Sequence, residues 1–102
     1  MNDLTLVVRP EVHDDLLEAE TWYNQKESGL GTRLLRDVTD TIDRLLQNPF
    51  RYQVRYRRRQ VRWAYTRSFP YRIVFAVVER TVVVYAVVHG RRLDRHWKKR
   101  IG

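Results

Sequence analysis

The spacing of apolar residues changes from a helical period to a strand period at Asn48-Pro49. Before this point, apolar side chains recur every three or four residues, as in an amphipathic α-helix. After it they alternate with polar side chains, as in a β-strand with one buried face. The pattern excludes an all-helical or an all-sheet chain. It predicts an α+β domain in which helices pack on one face of the sheet.

Two amphipathic helices are predicted in the first half of the chain. Pro10 supplies the fixed φ favoured at the first helical position, and the first helix is expected to end within residues 25–28. Asn48-Pro49 stops the second helix. The apolar stripes comprise Val12, Leu16, Ala19 and Tyr23 in the first helix and Leu34, Leu35, Val38, Ile42, Leu45 and Leu46 in the second. The two form an antiparallel helical hairpin, preceded by a short strand at residues 4–8.

The connection between the helices is predicted at residues 28–32, with the sequence SGLGT. The two glycines interrupt the helical pattern, and Ser28 or Thr32 offers a hydroxyl that can cap the second helix. Trp22 and Tyr23 precede this break. They are expected to pack within the hairpin and to have no chemical role.

A three-stranded antiparallel meander is predicted after the hairpin. Its strands fall near residues 61–66, 71–77 and 82–88, and Glu79-Arg80 forms the second turn. The last strand is apolar on both faces, so it is expected to be central, with helices on one side and another element on the other. The predicted order is therefore β-α-α-β-β-β, followed by a short basic tail, LDRHWKKRIG.

The charge of the chain is divided between its two halves. Residues 1–43 carry ten acids and four lysines or arginines, whereas residues 44–102 carry two acids and sixteen lysines or arginines. Residues 51–72 alone hold eight arginines and no acid, interleaved with tryptophan and tyrosine. Such a split favours a basic face for a nucleic acid or an acidic protein. The alternative is a solvated basic surface that only keeps a small domain soluble.

The 102 residues fit one domain, residues 1–102, with a thin core. No apolar run approaches the ~18 residues of a membrane span, and the N-terminus lacks the features of a signal peptide. A cytoplasmic protein without membrane contact is expected. The chain has no cysteine, and His13 and His96 lack metal-ligand spacing, so no metal site and no cofactor are expected.

A series of motifs resembles the RelE/ParE superfamily of bacterial toxins. The motifs, in chain order, are VVRPEVHDDL, WYNQKESGLGTRLL, NPFRY, FPYRIVFAVV and VVVYAVVHGRRLDRHWKKR, which cover almost the whole chain. The resemblance implies a toxin of a type II toxin–antitoxin system that is neutralised by a cognate antitoxin, expected here to be acidic. RelE-like members cut mRNA in the ribosomal A site without a metal, and ParE-like members inhibit DNA gyrase.

The resemblance to RelE-like members also implies catalytic residues. Metal-free RNA cleavage requires proton transfer and stabilisation of a pentacoordinate phosphate, a task that suits the planar fork of arginine. The motif YRIVF places a phosphate-stabilising arginine at Arg72, and VVHGRR places a second at Arg92 or the neighbouring Arg91. Lys98 or Trp97 stands where RelE-like members carry a tyrosine near the C-terminus. His89 is a candidate acid or base because an imidazole titrates near neutral pH.

These assignments compete with plain structural interpretations. Arg72 can be the solvent side of an alternating strand, Arg91 and Arg92 an ordinary basic turn, and His89 a hydrogen-bonded structural histidine. The RelE-like lysines of the preceding strand are replaced here by Trp63 and Tyr65.

The remaining basic and aromatic residues of the arginine-rich stretch are predicted to bind RNA. Arginine attracts phosphate, and aromatic rings stack on bases. The predicted residues are Arg55, Arg57, Arg58, Arg59, Arg62, Trp63, Tyr65 and Arg67. Residues 51–59 are expected to be the connection from helix to sheet.

Three functions are thus predicted in order of preference. The first is a toxin that acts as a metal-independent endoribonuclease on mRNA at the ribosome. The second is a ParE-like, noncatalytic inhibitor of DNA gyrase, which the missing lysines and the basic tail fit equally well. The third is an inactive homologue that binds RNA or the ribosome.

Overall fold

The computed structural model describes residues 3–101 and has the predicted α+β fold. Its helices and strands occupy most of this range, and short 3₁₀ turns lie at Pro49–Arg51 and Arg58–Gln60. In chain order the elements are β1 (Thr5–Val8), α1 (Pro10–Lys26), α2 (Leu30–Gln47), β2 (Val54–Tyr56), β3 (Val61–Tyr65), β4 (Tyr71–Val78), β5 (Thr81–His89) and α3 (Arg95–Ile101).

The strands form one mixed sheet in the order β1-β5-β4-β3-β2. β1 pairs with β5 in parallel, with Val7 opposite Val83, and the other neighbours are antiparallel. The predicted meander is therefore present. β5 has a strand on each side, as its apolar sequence predicts, although β4 occupies the middle of the sheet.

β2 is an element that the sequence pattern did not predict. Residues 51–59 were expected to be a connection only, but Val54–Tyr56 adds an edge strand to β3. The register shifts between Val54 and Tyr56, so this short strand is irregular. As a result, Arg55 of the basic stretch lies on the sheet rather than in a free loop.

The turn between α1 and α2 is tighter than predicted, and neither Ser28 nor Thr32 caps α2. Gly29 is the N-cap residue, with a φ of 87° that favours glycine, and no side chain caps the helix there. Gly31 is buried against α1, where a Cβ atom would lie 2.3 Å from the carbonyl oxygen of Glu20. The Gly31 N–H donates to Oδ1 of Asn24 at 2.8 Å, which joins the two helices.

The sheet has a hydrophobic core on each face. On one face, Ile73 and Phe75 pack with the helical hairpin, and on the other Val74 and Ala76 pack with Trp97 of α3. Trp97 is fully buried, so the basic tail contributes a core residue. α3 is thus the second covering element that the doubly apolar β5 predicts. No helix within residues 3–101 has the length and hydrophobicity to cross a membrane.

Candidate functional site

Arg72 lies on β4 beneath α3 and is only 5% exposed. Its Nη2 donates to Oδ1 of Asp94 at 2.8 Å and to the carbonyl oxygen of Arg92 at 2.9 Å. The guanidinium carbon sits 4.6 Å from the centroid of the Trp63 ring, a cation–π contact. The alternation of β4 places Arg72 on the same face as Val74 and Ala76, so its charge is enclosed by the second core.

Three buried nitrogen donors cluster around this arginine. Nε of Arg72, Nε1 of Trp63 and Nε1 of Trp97 have no hydrogen-bond partner within residues 3–101. The two tryptophan rings meet edge to face at 5.8 Å, and Tyr56 meets Trp97 in the same way at 5.5 Å. These donors thus lie among aromatic rings, whose faces are able to accept weak N–H contacts.

Exposed cations surround these aromatic rings. Arg55 of β2 lies 5.6 Å from the Trp63 centroid, and Lys98 of α3 lies 4.7 Å from the Tyr56 centroid. Both cations are solvent-exposed. Tyr65, at the end of β3, is 58% exposed. Arg55, which is predicted to bind RNA, therefore lies on the same face of the molecule as Lys98, which is predicted to be catalytic.

Arg62 lies on the opposite face of the sheet from Trp63. Its Nη1 donates to the backbone carbonyl oxygens of Phe50 and Tyr52, and its guanidinium packs over the Phe50 ring at 5.4 Å. Arg62 thus tethers the segment that follows α2. This is a structural contact, separate from the cations near α3.

The loop between β3 and β4 is held by a buried carboxylate. Asp37 of α2 accepts hydrogen bonds from the backbone N–H groups of Arg67, Ser68 and Phe69, at 3.1, 2.8 and 3.1 Å. Asp37 is 9% exposed, whereas the Arg67 side chain lies in solvent. The position of Arg67 therefore depends on a residue of the helical hairpin thirty positions earlier.

Arg57, Arg58 and Arg59 form the exposed turn between β2 and β3. Arg59 and Gln60 have φ angles of 63° and 52°, in the left-handed region that non-glycine residues rarely adopt. Residues in this region store local backbone strain, and such strain is often found at functional positions. The turn extends the basic surface beyond Arg55.

The other predicted catalytic residues lie at a cavity of about 520 Å³, which is bounded by α1, β5 and the segment before α3. His89 and Arg92 line it beside Tyr71, whose ring meets the His89 ring edge to face at 5.5 Å. Nδ1 of His89 accepts the backbone N–H of Arg91 at 3.1 Å. The Arg91 side chain is exposed.

Carboxylates give this cavity a mixed charge. Asp14, Asp15 and Glu18 of α1 line the same space, and Glu18 approaches Nη2 of Arg92 at 3.4 Å. Burial, together with the nearby Tyr23, raises the pKa of Tyr71 to about 12. A dianionic phosphate would meet these carboxylates as well as Arg92, which weakens its attraction to the site.

An ion pair closes one side of the cavity. Arg100 of α3 donates to both oxygens of Asp15 at 2.7 and 3.0 Å and also to the carbonyl oxygen of Tyr85. The hydrogen bond to Asp15 raises the pKa of Arg100 above its ordinary value. Desolvation and neighbouring cations, Arg92 foremost, lower the pKa of His96. Arg100 therefore fixes α3 itself, and Arg72 fixes the segment that immediately precedes it.

The comparisons with known proteins identify the family. The model of the family described as "ParE toxin of type II toxin-antitoxin system, parDE" matches residues 6–94. The chain belongs to the ParE toxin family. It is thus a toxin of a type II toxin–antitoxin system, and the family implies a cognate antitoxin. The predicted resemblance to the RelE/ParE superfamily is confirmed.

A solved structure supports the fold of this ParE-family chain. The structure described as "Chromosomal ParDE TA system from P. aeruginosa" superposes with a TM-score of 0.76 at 13% identity, covering 87% of this chain and 98% of the other. No curated protein matches the sequence significantly. The match of the ParE family model ends at Asp94, immediately before α3.

The predicted site residues of this ParE-family chain fall into separate groups. The face of the sheet that α3 covers, called here the α3 face, carries Arg72, Arg55, Trp63 and Lys98. The cavity beside α1 is lined by His89 and Arg92. Sequence patterns did not single out Asp94, Asp37, Tyr71 and Arg100, which hold or line these regions. Of these four residues, only Arg100 could have been found from the sequence. It is the last cation of a short segment in which Trp97 and Ile101 have the spacing of one helical face.

Proposed function

We propose that this toxin inhibits growth by binding DNA gyrase, without catalysing RNA cleavage. The observation that carries the proposal is the environment of Arg72, the residue assigned to phosphate stabilisation. Its side chain is 6% exposed and ion-paired to Asp94 at 2.8 Å. A group that stabilises a phosphate transition state must reach the phosphate, and this guanidinium is enclosed and already paired.

The chemistry around the other assigned groups supports the same conclusion. Arg92 faces Glu18, and Asp14 and Asp15 line the same cavity. The strand positions that hold lysines in RelE-like nucleases carry Trp63 and Tyr65. Within residues 3–101, both arginines assigned to phosphate stabilisation, Arg72 and Arg92, are therefore already paired with a carboxylate. A toxin that acts through its surface needs no cluster of free cations.

The test is induction of the toxin alone in a bacterium, followed by parallel assays. We expect covalent gyrase–DNA complexes and a DNA-damage response before protein synthesis falls. The purified chain should inhibit supercoiling by purified gyrase. A chain that ends at residue 70, and so lacks β4 and β5, is the negative control. Cleavage of mRNA on purified ribosomes, with gyrase unaffected, would overturn the proposal.

A second candidate, RelE-like mRNA cleavage, is favoured by one observation. His89, Tyr71 and Arg92 meet in a cavity, and together they offer an imidazole, a phenol and a guanidinium for proton transfer and charge stabilisation. In this case, ribosomes programmed with mRNA should show A-site cuts that His89→Ala abolishes. The matched control is His13→Ala, since His13 is exposed on α1. If the chain causes no growth defect at all, an inactive RNA- or ribosome-binding homologue is the remaining explanation.

The antitoxin of this system is proposed to be acidic. Sixteen of the twenty lysines and arginines follow residue 43, and many are exposed around α3 and the β2–β3 turn. An acidic segment would neutralise these charges while burying apolar surface. Co-expression with the product of the adjacent gene should restore growth, and salt should weaken the isolated complex.

A further inference from the structure

The geometry points to a nucleic-acid backbone site formed jointly by the β2 edge and α3, with duplex DNA as its ligand. The site consists of exposed cations set around an aromatic group. Arg55 and Lys98 are its central members, and the turn of Arg57–Arg59 extends it. The inference does not require gyrase, so it can fail independently of the proposed function.

A continuous series of ring contacts holds the two central cations in place. Arg55 lies over Trp63, Trp63 packs against Trp97, Trp97 packs against Tyr56, and Lys98 lies over Tyr56. The rings fix the stems of both cations because Trp97 is fully buried and Trp63 and Tyr56 are half-buried. Two residues more than forty positions apart in sequence thus become one preorganised surface, which lowers the entropy cost of binding.

Within residues 3–101, no carboxylate forms an ion pair with the two central cations of this surface. Only Glu79 and Asp94 follow Asp43 in the sequence, and Asp94 is committed to Arg72. By contrast, α1 carries five carboxylates and one lysine. A polyanion is therefore attracted to the α3 face and repelled by α1, which orients its approach.

The aromatic rings favour backbone contact over base stacking. Cations already cover the faces of Trp63 and Tyr56, so these rings are not free to stack on unpaired bases. Phosphates spaced along a backbone match a row of exposed guanidinium and ammonium groups without requiring single strands. Duplex DNA is thus the preferred ligand. Because RNA offers the same phosphate chemistry, an RNA hairpin should bind through the same residues.

The inference is tested by fluorescence polarisation of a labelled DNA duplex with the full-length chain across a salt series. The double variant Arg55→Glu/Lys98→Glu should lower the slope of log K against log salt by about 2, since each phosphate contact contributes about 0.9. The matched control is Arg33→Glu/Arg36→Glu, which makes the same change of charge at exposed positions of α2. This control should retain the slope, and circular dichroism should show that both variants are folded.

Three outcomes would overturn the inference. The first is an equal loss of the slope of log K against log salt in both double variants, which would show that the total charge of the chain attracts the DNA and that this surface does not bind it specifically. Another is binding of RNA hairpins and not duplex DNA through these residues, which contradicts the assigned ligand. The third is binding of poly-glutamate and of neither nucleic acid, which identifies the surface as a site for an acidic protein.

Discussion

Arg72 and Asp94 form an ion pair whose two members differ sharply in exposure. The arginine side chain is 6% exposed, whereas the aspartate side chain is 43% exposed, and Nη2 lies 2.8 Å from Oδ1. Removal of the carboxylate therefore leaves a buried guanidinium without its ion-pair partner. Removal of the arginine leaves a carboxylate that is already partly exposed to solvent. This asymmetry makes the pair informative about both stability and function.

The first prediction concerns the order of two stability losses. Asp94→Ala should lower the free energy of unfolding by about 2 kcal/mol, because Arg72 loses its ion-pair partner and, within residues 3–101, keeps the Arg92 carbonyl oxygen as an acceptor and the Trp63 ring as a cation–π contact. Arg72→Met should cost less, since a flexible apolar side chain can pack on Trp63. Urea denaturation of both variants measures the difference. A larger loss for Arg72→Met would show that the pair itself stabilises the fold.

The second prediction separates a structural from a chemical role of Arg72. If the arginine only anchors the start of α3, Arg72→Met should remain toxic when the folded protein accumulates to the level of the unsubstituted chain. Growth after induction measures toxicity, and immunoblotting of the soluble fraction measures abundance. Arg67→Met, on the exposed β3–β4 loop, is the matched control. Loss of toxicity at normal abundance for Arg72→Met alone would instead support catalysis.

The third prediction concerns the carboxylate that organises the β3–β4 loop. Asp37→Ala removes the acceptor of three backbone N–H groups and should lower the free energy of unfolding by about 2 kcal/mol. The amides of Ser68 and Phe69 should then exchange with solvent faster than the rest of the sheet. Asp40→Ala, at an exposed position on the same helix, should change stability by less than about 0.5 kcal/mol. Equal effects of the two substitutions would contradict this role.

The sequence predicts these elements unequally, for physical reasons. Helical and strand periods predict α1, α2 and the three long strands because each buries a repeating face. β2 has only three residues, two of them half-buried, so its alternation is too short to distinguish from a loop. The basic tail that forms α3 does contain a helical pattern, since Trp97 and Ile101 are four residues apart and both are buried. Its seven residues give that spacing a single repeat.

The candidate site was less predictable because its decisive contacts are long-range. Arg72 occupies a β4 position where alternation and charge both favour solvent, yet it is buried because Asp94 returns to it from 22 residues later. Asp37 similarly acts on a loop 30 to 32 residues away. No local period encodes such pairs. The convergence of Arg55 and Lys98 follows from the pairing of β2 and the packing of Trp97, neither of which the pattern predicted.

The fourth prediction concerns alkaline pH. The pKa of Tyr71 is raised to about 12 in the folded chain, against an ordinary value of 10.0. Between these values the unfolded state loses the proton and the folded state keeps it, so the stabilisation is present below pH 10 and is lost as the pH rises toward 12. Ultraviolet absorbance should show a tyrosine that ionises with a pKa of about 12. Tyr71→Phe should remove this late step and reduce the decline in stability over the same range. An unchanged titration would refute the assignment.

The fifth prediction tests the second core. Trp97→Ala should lower the free energy of unfolding by about 4 kcal/mol, because a fully buried indole leaves a cavity beneath α3. Lys99→Ala, on the exposed side of the same helix, should be nearly neutral. Thermal unfolding followed by tryptophan fluorescence at equal protein concentration gives both values. Similar melting curves for the two variants would mean that α3 adds little to the core.

The parallel pairing of β1 with β5 affects how the protein folds during its synthesis. Thr5 pairs with Thr81 and Val8 with Val84, so β1 cannot complete this pairing until β5 has been synthesised. Pairing between such distant segments slows folding because a long loop must close first. The strands β1 to β4 and both long helices are therefore made before the sheet can be completed. The growing toxin therefore lacks this pairing, and with it a complete sheet, until β5 has left the ribosome.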